Sequence, residues 1–90
     1  MLERRHYIFH GRVQGVGFRI TCFRIAMKLG LTGWVRNLSD GTVEACVQGE
    51  TSRIEHLIDE LSHSHFIGIE HFDSEEMPVL HEEKSFEMKY

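Results

Sequence analysis

Between Gly11 and Arg19 the chain reads GRVQGVGFR, three glycines set among valines, a glutamine and a phenylalanine, with Arg12 and Arg19 near its two ends. Glycine costs roughly 0.5–1 kcal/mol per position inside a regular element, because it loses more backbone freedom on folding than any other residue. The run therefore reads as a loop between two elements. Before it, Arg5 to Phe9 is rich in aromatic and β-branched residues and predicts a first strand. After it, Phe18, Cys22, Ala26 and Leu29 recur at helical spacing and Gly30 is placed to cap the end, which predicts a first helix over Phe18–Leu29.

The remaining pattern completes a fold. Leu31–Asn37 and Thr42–Gly49 are β-prone runs joined by LSDG, whose Asp40-Gly41 pair favours a tight hairpin turn. Ser52 and Glu55 have the spacing of a capping box, and Ile54, Leu57, Ile58 and Leu61 then follow at i, i+3, i+4 and i+7, predicting a second helix. Phe66–Phe72 reads as a fourth strand. SFEMKY, with Phe86, Met88 and Tyr90 on one face, reads as a short last strand. The acidic EEMPVLHEEK between them contains the only proline and is expected to be a solvated loop. The order β-α-β-β-α-β plus one strand is the split β-α-β plan. Right-handed crossovers place both helices on one face of an antiparallel sheet, so the expected class is α+β, ferredoxin-like.

Ninety residues suffice for one modest core, so residues 1–90 are expected to form a single domain. MLERRHYIF contains no apolar run long enough for a signal peptide or membrane span, which predicts a cytoplasmic protein without membrane contact. Cys22 and Cys46 are too few for a disulfide scaffold and read as reduced thiols. A net charge of −4 gives no long-range attraction for nucleic acid. RNA-recognition domains share the element order, but their third strand carries stacking aromatics, and GTVEACVQG has none. Among seven histidines, His63 and His65 form the tightest pair; the others are scattered over different elements, so no metal site is expected.

The glycine run admits two readings. One is a tight structural turn. The other is an anion site, because a loop entering a helix N-terminus points free backbone N–H groups into its own concavity, where the helix dipole adds positive potential. Gly15 and Gly17 would permit close approach, and Arg19 would add a planar fork of donors suited to phosphate. Neither the dinucleotide fingerprint, which needs glycine where Ile20 stands, nor a Gly-Lys-Ser/Thr phosphate loop is present. In the split plan strand two lies parallel to strand one with strand three between them, so Asn37 arrives at the same end of the sheet as the loop. Its carboxamide offers a donor and an acceptor, suited to holding a water against an anion; equally, asparagine commonly leads into a turn.

GRVQGVGFR, nine residues, and then LGLTGWVRNLSDGTVEACVQG together resemble the acylphosphatase family, whose signature is G-x-V-Q-G-V-G-F-R followed by G-W-V-x-N-x-x-D-G-x-V-E. The resemblance runs from Gly11 to Gly49 nearly without interruption, and FEMKY resembles the closing strand. Glu50–Lys84 matches only in pattern, and IDELSHSHFIGIEHFD departs from the family's common W-L-x-x-G-P-x-x-A-x-V run. The resemblance implies an enzyme that hydrolyses acyl phosphates without cofactor or metal, with inorganic phosphate as product and inhibitor, acting as a monomer. It implies that Arg19 binds the phosphate and Asn37 positions the attacking water. Backbone N–H groups of Gln14, Gly15, Val16, Gly17, Phe18 and Arg19 would form the cradle, and Thr42 would support Asn37 from across the hairpin. A non-catalytic module of the same family, sensing phosphate or binding a protein, is the alternative.

Overall fold

The computed structural model describes all residues 1–90. In chain order the elements are β1 (Leu2–Arg12), α1 (Phe18–Lys28), β2 (Thr32–Asn37), β3 (Val43–Glu50), α2 (Thr51–Ser62), β4 (Gly68–Met77) and β5 (Phe86–Met88). The expected order is present, as an α+β fold with one sheet ordered β4-β1-β3-β2-β5. Strand β3 lies antiparallel between β1 and β2, and β4 pairs antiparallel with β1. The sheet is not wholly antiparallel, as the sequence suggested: β5 runs parallel to β2. The chain leaves β4 at one edge and must cross the sheet to reach the other, which sets that direction.

Strand period decides which side chains are buried. Tyr7, Phe9, Val35, Val43, Ala45 and Val47 project to the face covered by the helices, and all belong to the core cluster with Phe18, Cys22 and Ala26 of α1 and Ile54, Leu57 and Leu61 of α2. Helix α1 packs on β2 and β5, α2 packs on β3 and β4, and the two helices touch each other. The end of α1 is closed as Gly30 predicts: the Leu31 N–H donates to the Ala26 carbonyl (2.9 Å) and the Gly30 N–H to that of Met27 (3.2 Å).

Four local expectations are corrected. The Ser52–Glu55 capping box does not form, because α2 begins at Thr51 with Glu50 as its N-cap and no side-chain cap bond. The Thr51 N–H and hydroxyl instead donate to the Met1 carbonyl, both at 3.0 Å, tying the start of α2 to that of β1. Strand β4 continues past Phe72 to Met77, since its backbone follows β1 as far as Arg4 although its side chains from Glu70 to Glu76 are exposed. The segment after it is not simply solvated. It crosses the open face of the sheet, where buried Arg4 meets Glu83 at 2.7 Å and Gln48 exchanges hydrogen bonds with both the N–H and the carbonyl of Leu80. Tyr90, finally, does not join Phe86 and Met88 in packing; it lies beyond β5 and is exposed.

Candidate active site

The glycine loop lies between the end of β1 and the start of α1. Gly15 (φ 73°) and Gly17 (φ 80°) are both left-handed, a conformation that L side chains adopt only at a cost. A Cβ at Gly15 would meet nothing within 4 Å. Backbone conformation, not crowding, is therefore what requires glycine there, and the loop's surface stays open. Gly17 is the N-cap of α1 and offers no side chain to the helix. The first intrahelical bond runs from the Thr21 N–H to the Gly17 carbonyl. The N–H groups of Phe18, Arg19 and Ile20 thus have no helical acceptor, and the helix dipole adds positive potential at this end. Phe18 anchors the turn from beneath, buried against Phe9 at 4.9 Å between ring centroids.

A cleft of about 260 Å³ opens above this loop, lined by Gly15, Gly17, Phe18, Arg19 and Asn37 together with Met88 and Tyr90. The topology delivers the convergence, because β1 and β2 run the same way with β3 between them and so end at the same side of the molecule. The Arg19 guanidinium is held without any carboxylate partner. Its Nη1 donates to the Lys89 carbonyl at 2.8 Å, and its Cζ sits 4.9 Å from the centre of the Tyr90 ring. The Asn37 Oδ1 is buried and meets no protein donor. An acceptor left in that state costs about 1–3 kcal/mol. No Asp, Glu, His or Cys lines the cleft. Both thiols lie elsewhere in the fold, buried; burial pushes Cys22 up to about 12 and raises Cys46.

Three of the residues singled out from the sequence stand outside the lining. Gln14 turns its carboxamide away from the cleft and toward the β2–β3 turn, where Nε2 donates to the carbonyls of Leu38 (2.6 Å) and Thr42 (2.8 Å). This side chain fastens the glycine loop to the turn that follows Asn37, a bridge that motif spacing does not reveal. Val16 packs against the core cluster. Thr42 does not bond Asn37: its hydroxyl and N–H both donate to Asp40 Oδ1, at 2.6 and 3.0 Å. Those bonds hold the Asp40 carboxyl below its ordinary range, so any support Thr42 gives to Asn37 passes through the turn. Met88 and Tyr90 were not foreseen as lining; the only sequence signal was their place on the last strand.

A larger cleft of about 550 Å³ lies between α2 and the β1–β4 side of the sheet. It holds Glu3, Glu55 and Asp59 against Arg5, with no glycine in its lining, and Thr51 at the start of α2 already donates its N–H to the Met1 carbonyl.

The sequence pattern of one family, Acylphosphatase, matches residues 5–88. The chain belongs to the acylphosphatase family. It is 41% identical over 90 residues to the acylphosphatase of Geobacillus kaustophilus, covering 99% of this chain and 96% of that protein. It is 60% identical over 55 residues to that of Thermococcus kodakarensis, a match covering 61% of this chain and only 60% of its relative's length. The crystal structure of acylphosphatase from Bacillus subtilis superimposes with a TM-score of 0.90 at 33% identity, covering 100% of both chains. Family and fold thus agree from the first strand to the last.

Proposed function

We propose that the glycine-loop cleft hydrolyses the carboxyl–phosphate bond of acyl phosphates, with Arg19 and the N–H groups between Gln14 and Arg19 binding the phosphoryl oxygens and Asn37 orienting the attacking water. One observation carries the reading: a guanidinium without a carboxylate partner, a free helix start and the Asn37 carboxamide converge on one cleft whose lining has no carboxylate side chain, imidazole or thiol.

That inventory is sufficient for this substrate. An acyl phosphate releases a carboxylate whose conjugate acid has a pKa of about 4, so the leaving group departs without being protonated. What remains is to place water in line with phosphorus and to stabilise charge on the phosphoryl oxygens, which fixed N–H donors and a guanidinium accomplish. Water attacks phosphorus, the bond from phosphorus to the bridging oxygen breaks, and its electron pair stays on the carboxylate. The water's proton passes to a phosphoryl oxygen, as no side chain in the lining can take it. No step calls for a metal. Phosphate monoesters, which release a far more basic alkoxide, would need a general acid, and the lining offers no side-chain carboxyl or imidazolium for that role, only the exposed Tyr90 phenol.

The test is release of inorganic phosphate from benzoyl phosphate in excess chelator, with a phenyl phosphate control. Rapid hydrolysis of the first, inhibited competitively by inorganic phosphate, and none of the second is expected. Equal activity on both would point to an acid elsewhere, and chelator sensitivity to a metal. Phosphate binding without hydrolysis of any acyl phosphate would make the chain a non-catalytic phosphate-sensing module.

A further inference from the structure

The pairing of β1 with β4 sets His10 directly opposite His71, with Asp73 two residues further along β4 on the same face. The two imidazoles stack with centroids 4.2 Å apart and planes 12° from parallel, and His10 Nε2 lies 2.9 Å from Asp73 Oδ2. One ligand atom from each residue lies within 4.8 Å of the other two. None of the three lines the glycine-loop cleft. We propose that His10, His71 and Asp73 form a surface site for a divalent cation of the Zn²⁺ class, separate from the phosphate chemistry.

The donor set selects the metal. Two imidazole nitrogens and a carboxylate suit Zn²⁺ and its borderline neighbours, whereas Mg²⁺ and Ca²⁺ prefer all-oxygen shells. Around a tetrahedral ion with bonds of about 2.0–2.2 Å two ligand atoms stand about 3.3–3.6 Å apart, so the stacked rings must turn their nitrogens toward a common point and His10 and Asp73 must part to admit the ion. His71 and Asp73 are exposed and can rotate to allow this, while the hydrogen-bonded ladder holds their backbones at fixed separation. Water would complete a tetrahedral shell around three protein ligands. The neighbourhood favours a cation as well: Glu75 follows Asp73 on the same face of the exposed strand, and the chain carries a net charge of −4. His6, also on β1, is already engaged by Glu44 at 2.7 Å and stands apart from the cluster.

The experiment is calorimetric titration of the full chain with Zn²⁺, in a buffer free of phosphate, with histidine side-chain NMR signals followed in parallel. One ion per chain is expected, with the His10 and His71 signals perturbed and those of His56 and His81 unmoved. His71→Ala and Asp73→Asn change exposed side chains and each removes a ligand, so each should weaken binding by more than the about ten- to hundredfold typical of losing an outer-shell partner; the double variant His63→Ala/His65→Ala should bind as the parent does. Absence of saturable Zn²⁺ binding overturns the proposal. So does binding that survives His71→Ala, or that perturbs His63 and His65 in place of His10 and His71; this wild-type readout does not depend on any variant folding.

Discussion

Residues Gly11–Gly49 and residues Glu50–Lys84 contribute to the same sheet and core under different constraints. In the first stretch the proposed chemistry rests on the backbone. Two left-handed glycines, a helix start without acceptors and a turn tied by Asp40 fix where Arg19 and Asn37 stand. In the second, α2 contributes three buried side chains, β4 is exposed along nearly its whole length, and the crossing segment is held by Glu83 and Leu80. That stretch is held by burial, backbone pairing and these few contacts. A motif survives where each residue has its own task, and dissolves into pattern where only the sum matters.

That contrast is open to attack from both sides. The largest effect belongs to Arg19. Arg19→Ala should lower kcat/KM for an acyl phosphate on the order of 10³-fold or more and abolish phosphate inhibition, and Arg19→Lys should also be severe, as an ammonium lacks the planar fork. Neutralising Arg12, Arg24 or Arg36 should do far less. Near-parental kinetics in Arg19→Lys would place the phosphate elsewhere.

Glu83→Ala probes the second stretch. It leaves buried Arg4 without its anion, and loss of one partner of such a pair costs roughly 3–5 kcal/mol, with the low end expected because Glu83 is itself 17% exposed. Denaturant unfolding should show that loss while kcat of the folded enzyme stays near the parental value. A matching fall in kcat would mean the two stretches are coupled.

Gln14→Ala should fall between these extremes. It removes two hydrogen bonds that join the loop to the β2–β3 turn. A cost of about 1–3 kcal/mol in stability is expected from two stranded carbonyls, accompanied by a lower kcat with little change in phosphate inhibition. If kcat is untouched, the bridge stabilises the fold without positioning Asn37.

The smallest effect concerns acid. The Thr42 hydroxyl and N–H lower the pKa of Asp40 in the folded chain, so ionised Asp40 favours the fold above the ordinary carboxylate range and that contribution is lost as pH falls through the lowered value. Asp40→Ala should flatten the acid limb of the stability–pH curve slightly. An unchanged limb would remove Asp40 from the account of the turn.

Much of the molecule was legible because local chemistry and final structure agree. The element order, the core stripe of α2, the cap after α1 and the meeting of Arg19 with Asn37 all follow from spacing and turn residues. What escaped depends on partners distant in sequence. The second half of β4 has no apolar alternation to detect, since its strand character comes from pairing with β1. The acidic crossing segment looked solvated because nothing local announces that Arg4 is buried beneath it. His10 and His71, 61 residues apart in the chain, were counted as scattered until strand register set them face to face. Ser52 was a credible cap by residue type, but α2 starts one residue earlier, where Thr51 bonds Met1.

The central claim, that Asn37 serves the reaction and Arg19 the binding, is tested most directly by Asn37→Ala. Its kcat for benzoyl phosphate should fall on the order of 10²–10³-fold, about 3–4 kcal/mol, as when one oriented donor is lost. The inhibition constant of inorganic phosphate should stay at the parental value, because the cradle and Arg19 are intact. A phosphate inhibition constant that weakens in step with kcat would contradict the account and make Asn37 a binding residue.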